Sequence, residues 1–154
     1  MHVSASLPVP PLMLHGVRPV FVCGRWHDEG RLWGHICWIV PGEPVTDPPS
    51  TPERRLPYAD LGELDGQSYD RLPNRPDRLL ALPPLIAYGG QVALLRRWRY
   101  GGNSWWAHLA RLSMGESAGA RRAFLIDQQV AAADVIPLPG QDYRHVPRDR
   151  LGRP

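Results

Sequence analysis

Two cysteines and two histidines near the start of the chain form the residue set most able to bind a metal. Cys23, His27, His35 and Cys37 supply two sulfurs and two imidazole nitrogens, which are ligands of tetrahedral zinc sites. Their spacing, Cys-x3-His followed by His-x-Cys, is not that of a standard zinc knuckle. Free cysteines also serve as small core residues, and a cross-strand disulfide is a further alternative. The second half of the chain helps to separate these alternatives.

That second half repeats the first at an offset of 72 to 74 residues. Residues 33–36 (WGHI) return as 106–109 (WAHL), and 66–69 (GQSY) return as 140–143 (GQDY). Many collinear matches at one spacing indicate an internal duplication. In this alignment we expect Trp26 to superpose on Trp98, and Tyr69 on Tyr143.

The duplication provides a control for the metal hypothesis. Three of the four candidate ligands are replaced in the second copy, although the surrounding pattern persists, so the fold does not require a metal; the equivalents are Leu95, Arg99, His108 and Ala110. Only His35 and His108 recur, and a catalytic role would need a nucleophile or carboxylate kept beside them. The sequence has no phosphate loop, dinucleotide fingerprint or hydrolase motif. We therefore expect a non-enzymatic protein without a metal or cofactor.

Length and the repeat together set the domain organisation. We divide the 154 residues into a Pro-rich leader (1–13), a first repeat (14–80), a linker (81–85) and a second repeat (86–152). Units of this size bury only about 60% of their unfolded surface, so we expect each to pack against the other or a partner. Residues 1–81 hold 8 Arg against 10 Asp and Glu, and residues 82–154 hold 10 against 5. The acidic first copy and basic second copy suggest different contacts.

Short apolar runs separated by Gly and Pro predict a mainly β protein made of two small barrels. Residues 117–133 lack proline and are compatible with either a short helix in the second copy or a strand. The recurrent tryptophans, Trp26 with Trp98 and Trp33 with Trp106, are expected to be core or strand-packing residues. No run of 18 or more apolar residues is present, and with only two cysteines we expect a cytoplasmic protein.

The second copy carries the clearest resemblance to a known fold. A Gly-Gly turn, the tandem Trp105 and Trp106, and the closing residues 146–151 (VPRDRL) resemble an SH3-like barrel. In peptide-binding members of that family, the first tryptophan and the closing proline line a groove for Pro-rich peptides. The resemblance implies such roles for Trp105 and Pro147, whereas the position of the family's groove tyrosine holds Arg150.

Aromatic and Arg-rich loops are the candidate binding surface. Trp38 aligns with Arg111, a pairing that predicts exposure to solvent or to an interface, and tryptophan is favoured at binding sites. We predict a protein-binding adaptor whose partner contacts are Trp38, Arg97, Arg99, Tyr100, Trp105, Arg111 and Pro147. Basic residues beside aromatic ones also suit nucleic acid. That alternative would use Arg96, Arg97, Arg99, Arg111, Arg121 and Arg122, and the oligomeric state stays open.

Overall fold

A computed structural model describes residues 6–40, 49–117 and 120–150, without the side chains of residues 114–122 and 150. The first repeat forms a five-stranded antiparallel sheet in the order β4-β3-β2-β1-β5. A 3-10 turn at Tyr58–Asp60 leads into the last strand, which returns to pair with the first. The strands are β1 (Leu12–His15), β2 (Arg18–Asp28), β3 (Arg31–Cys37), β4 (Glu53–Pro57) and β5 (Gly62–Glu63).

The second repeat forms its own sheet in the order β10-β6-β7-β8-β9, with β11 parallel to the far half of β7. The predicted mainly β fold is confirmed. Of the two alternatives for residues 117–133, the strand is observed, because Ala120–Ala131 pairs with residues 106–117 of β8. The strands are β6 (Leu85–Tyr88), β7 (Gln91–Gly101), β8 (Ser104–Ser117), β9 (Ala120–Ala131), β10 (Ile136–Pro137) and β11 (Arg148–Arg150), with a 3-10 turn at Ala132–Asp134.

The two hairpins share their register, and that register corrects one predicted equivalence. Both β2 and β7 contain a bulge at the same place. Trp26 faces Trp33 across the first hairpin, and the residue that faces Trp106 is Arg99, not Trp98. The predicted superposition of Trp26 on Trp98 is therefore wrong by one residue. The same shift makes Arg96 and Tyr100, not Leu95 and Arg99, the equivalents of Cys23 and His27. A shift of one residue in a strand moves a side chain to the opposite face of the sheet.

The recurrent Gly-Gln-x-Tyr segment ties the end of each repeat to its first strand. Tyr69 donates its hydroxyl proton to the carbonyl of Leu12 at 2.5 Å and accepts from the amide of Leu64 at 2.9 Å. Gln67 accepts from the amide of Leu12 at 2.9 Å. These bonds satisfy backbone groups that would otherwise be costly to bury. The second copy repeats all three, at 2.5 to 2.8 Å, with Tyr143 and Gln141 bound to Leu85 and Leu138.

The two sheets share a hydrophobic core. Each repeat has a cluster of its own, and a third cluster combines buried residues from both sheets. Its members include Leu12, Phe21 and Cys37 from the first repeat and Leu85 and Leu94 from the second. Shared burial of this kind compensates for the small size of each unit.

Residues 7–12 and 80–85 lead into the two repeats, and each segment contacts the other repeat; by this match Leu80, assigned above to the first repeat, begins the second unit. Leu7 donates its amide to the carbonyl of Arg96, at the bulge of the second repeat, at 2.9 Å. Leu80 donates to the carbonyl of Cys23, at the bulge of the first repeat, at 2.8 Å. The sequence similarity of residues 7–12 (LPVPPL) and 80–85 (LALPPL) explains why the two contacts match. The strand β1 begins at Leu12, within the segment assigned to the leader.

Candidate functional site

The predicted binding residues lie in two places. Tyr100 and Trp105 belong to the hairpin of β7 and β8. Arg97 and Arg99 lie on β7, and Pro147 lies directly before β11. Trp38 and Arg111 occupy equivalent positions in the two copies, and both line a cleft between the repeats. The structure thus separates one predicted surface into a hairpin group and a cleft group.

The hairpin group presents an aromatic face. Tyr100 and Trp105 are directly opposite each other, with ring centroids 5.2 Å apart and ring planes inclined at 60°. Trp98 lies two residues before Tyr100 and packs against the core of the second repeat. The equivalents of Tyr100 and Trp105 in the first hairpin are His27 and Leu32, so only the second copy has this face.

Arg97 is held by an ion pair on the opposite face of the same hairpin. Its Nη1 lies 3.5 Å from Oδ2 of Asp149, and the two side chains are only 13% and 12% exposed. Its Nη2 also lies 3.4 Å from Nδ1 of His108. Arg99 is half-buried and stands opposite Trp106 in the ladder. Arg97 therefore joins β11 to β7 and offers little surface to a partner.

Pro147 fixes the position of the last strand. Its carbonyl accepts the amide proton of Trp98 at 2.8 Å, and β11 continues from it beside β7. The first repeat has the same contact between the amide of Arg25 and the carbonyl of Pro73, at 2.8 Å. The contact recurs in both copies, which indicates a structural role for this backbone group.

Trp33 and Trp106 occupy equivalent positions in the two copies, and each packs on its own hairpin. Trp33 donates its indole Nε1 proton to the carbonyl of Asp28 at 3.2 Å, and Trp106 donates to the carbonyl of Gly101 at 3.1 Å. Both rings are half-buried. Each indole thus closes the turn of its own hairpin. The guanidinium of Arg55 lies over the ring of Trp33, 4.0 Å from its centroid.

The two cysteines lie together in the shared core. The Sγ atoms of Cys23 and Cys37 are 3.3 Å apart, and both residues are buried. The contact with Cys23, together with burial, raises the pKa of the Cys37 thiol far above its usual range. Among the described residues, no three His, Cys, Asp or Glu side chains come together in a group that could hold a metal. The predicted absence of metal stays a prediction for elemental analysis.

The two recurrent histidines face the neighbouring strand. His35 Nε2 lies 3.6 Å from a carboxylate oxygen of Glu53, and His108 Nε2 lies 2.6 Å from Oε1 of Gln129. In both copies the histidine links the central strand to the next one. The two histidines therefore share a structural role, which is to connect adjacent strands of their sheet.

The cleft group surrounds an opening of about 380 Å³ that adjoins a second one of about 290 Å³. Phe21, Ile39 and Leu112 line both openings. At one side the guanidinium of Arg18 lies 5.2 Å from the ring centroid of Trp38. At the other side Arg111 donates to Oε1 of Gln91 at 3.0 Å.

These two contacts join equivalent positions of the duplication. Arg18 corresponds to Gln91 and Trp38 to Arg111, so the same pair of positions is in contact in each copy with different chemistry. Sequence reasoning found Trp38 and Arg111 but missed their neighbours. The repeat offset alone could have paired Arg18 with Gln91.

Some predicted features lie outside the described residues. The side chains of Arg121 and Arg122 are among them, as are residues 1–5 of the leader and residues 41–48 of the first repeat. Within the described part of the chain, no helix is long and apolar enough to cross a membrane. Comparison of the chain with protein-family models, with curated proteins and with solved structures gave no match.

Proposed function

We propose that this chain is a non-enzymatic binding protein that engages a protein partner through the aromatic face of the β7–β8 hairpin. The observation that carries the proposal is the half-buried pair of Tyr100 and Trp105. Large aromatic side chains with few rotatable bonds contribute much of the affinity at protein interfaces. The pair occurs in one copy only, whereas the hairpin that supports it occurs in both.

We also propose that each repeat is an SH3-like barrel. In support, each sheet has four consecutive antiparallel strands and a fifth that returns to pair with the first, the arrangement from which a small barrel closes. The resemblance also placed Trp105 and Pro147 in one ligand groove. Both residues lie beside the C-terminal half of β7. Trp105 faces Tyr100, and the carbonyl of Pro147 accepts from the amide of Trp98.

Charge beside the aromatic face adds to the selectivity of the proposed site. Arg148 is exposed and stands beside Trp98 in the β11–β7 pair. Because paired residues in adjacent strands project to the same face, Arg148 accompanies the aromatic rings. The partner therefore presents apolar side chains next to an acidic group.

The test compares one substitution in each hairpin. Trp105→Ala removes the proposed anchor, and Leu32→Ala is its matched control at the equivalent position of the first copy. Partners captured by the wild-type protein are quantified by mass spectrometry, and the affinity of each is then measured with the purified proteins. We expect Trp105→Ala to weaken binding by about 2 kcal/mol or more, the usual cost of an interface anchor, and Leu32→Ala to have no effect.

Thermal melts separate loss of binding from loss of folding. We expect Trp105→Ala to melt close to the wild type, because its ring lies at the end of the hairpin. Trp98→Ala should melt earlier, since that ring packs against the second core. A partner that binds wild type and Trp105→Ala equally would contradict the proposed site.

Nucleic acid is the second candidate, favoured by the exposed Arg148 beside the aromatic rings. Single-stranded binding sites combine stacking rings with cations in this way. Two other basic residues are already engaged. Arg97 pairs with Asp149, and Arg96 binds the carbonyl of Leu7 at 2.8 Å and Asp127 at 2.9 Å. Affinity that falls steeply with salt would favour nucleic acid over an aromatic protein interface.

A further inference from the structure

The cleft between the repeats has the shape of a small-molecule site. Its two adjoining openings, of about 380 and 290 Å³, compare with the 300 to 1,000 Å³ of typical ligand pockets. Phe21, only 1% exposed, lies in the floor, and Leu112, 37% exposed, stands where the openings meet. The cleft thus offers an apolar surface that a hydrocarbon group would cover.

The charged side chains that line the described part of the cleft are both cations. Arg18 and Arg111 are the charged residues among those that line the two openings, and no described lining residue is a carboxylate. Arg18 is stacked on Trp38 and forms no ion pair with a carboxylate of the described residues. The guanidinium of Arg111 donates one Nη proton to Oε1 of Gln91 and forms no ion pair with a described carboxylate.

A carboxylate is the group that best satisfies a guanidinium, because two oxygens match its parallel N–H groups. An anionic head group at Arg111 would also lie near the positive charge of Arg18. These features select the ligand by charge as well as by shape.

We propose that this cleft binds a small organic carboxylate with an aromatic or branched apolar body. The body covers Phe21 and Leu112, and the carboxylate accepts from Arg111. The site is separate from the aromatic face of the β7–β8 hairpin, and neither proposal depends on the other. It also lies where the two repeats meet, so a ligand there contacts both.

The experiment uses the full chain and two probes that differ only in the head group. Phenylbutyrate carries the proposed carboxylate, and phenylbutanol has the same ring and chain with a neutral hydroxyl. Binding is measured by calorimetry and by saturation-transfer NMR. We expect the acid to bind about tenfold more tightly than the alcohol, the difference that one charge-assisted hydrogen bond produces.

Three variants locate the site. We expect Arg111→Gln to weaken phenylbutyrate binding about tenfold and to leave phenylbutanol unchanged. Leu112→Trp fills the cleft and should abolish the binding of both probes, with a thermal melt confirming that the variant is folded. Arg75→Gln, an exposed loop arginine paired with Asp77, is the matched control and should change neither.

Each outcome decides the proposal. Equal affinity for the acid and the alcohol, or an Arg111→Gln variant that binds the acid as the wild type does, would refute a carboxylate site. Failure of the acid to bind at millimolar concentration would also refute it. Loss of partner binding in Trp105→Ala with phenylbutyrate binding retained would show that the two sites are separate.

Discussion

The hairpins of the two repeats differ in what they expose and agree in what supports them. Both contain the bulge, both close their turn with an indole, and both carry a histidine toward the next strand. The first hairpin places Trp33 under Arg55, which pairs with Asp28 at 3.0 Å. The second places Trp105 against Tyr100. The duplication thus kept the backbone and its supports, and the exposed side chains diverged.

A second difference lies beyond the hairpins. The strand β3 has 7 residues and its counterpart β8 has 14. The extension lets β8 and β9 form a long arm, and Ala123 of that arm is buried in the core shared by both repeats. The second copy therefore contributes an additional element to the junction between the repeats.

The largest expected effect tests whether the shared core joins the two repeats into one folding unit. Phe21→Ala removes a ring that is 1% exposed in that core. We expect a loss of about 3–5 kcal/mol in the free energy of unfolding, as for other buried phenylalanines. Chemical denaturation followed by fluorescence and by circular dichroism should show one coincident transition, whereas two separate transitions would mean that the repeats unfold independently.

Val17→Ala is the control for that experiment, because its side chain is 68% exposed. We expect its stability to stay within about 0.5 kcal/mol of the wild type.

A smaller effect compares the two tyrosine anchors. Tyr69→Phe and Tyr143→Phe each remove a hydroxyl that bonds two backbone groups. We expect each to cost about 1–3 kcal/mol, the penalty for leaving a buried polar group unpaired. Tyr69 is buried and Tyr143 is half-buried, so the first substitution should cost more. Equal melting temperatures for Tyr69→Phe and the wild type would contradict this anchor role.

The smallest effect concerns a residue that only the first copy has. Burial, and donation of its proton to Glu63, raise the pKa of Tyr58 from 10.0 to about 12, whereas the equivalent position holds Ala132. The neutral phenol is therefore favoured in the folded state. Its contribution to stability is complete below pH 10 and is lost as the pH rises toward 12.

Ultraviolet titration of the wild type and of Tyr58→Phe measures this pKa. The difference between the two curves should show a phenolate forming near pH 12. A difference centred near the ordinary value of 10.0 would contradict the shift.

The mainly β fold could be predicted because it depends on local patterns, and the two similar sheets because matching segments recur at one offset. The sequence placed Tyr69 on Tyr143 correctly, since a four-residue motif defines that position. It misplaced Trp98 because the order Arg25-Trp26 in the first copy is reversed to Trp98-Arg99 in the second. Aligning the two tryptophans by residue type therefore matches side chains on opposite faces of the sheet.

Contacts between segments that are distant in the chain could not be predicted from the sequence. The ion pair of Arg97 with Asp149 depends on the parallel pairing of β11 with β7, and no local pattern specifies a register between segments so far apart. The cleft required the relative position of two sheets. Sequence comparison between the copies still identified Trp38 and Arg111 as unusual, because their residue types differ at one conserved place in the fold.

The exchange of lead-in segments gives the chain the organisation of a two-fold dimer whose subunits are covalently joined. The bulge of each repeat receives its amide from a segment that leads into the other repeat, so neither copy contains both partners of this contact. If the two repeats were separate chains, these contacts would form only when two molecules associate, and their occupancy would depend on protein concentration. On one chain they form at an effective concentration in the millimolar range for a short flexible connection. Duplication thus makes the assembly independent of protein concentration, and it frees the two equivalent surfaces to acquire different side chains.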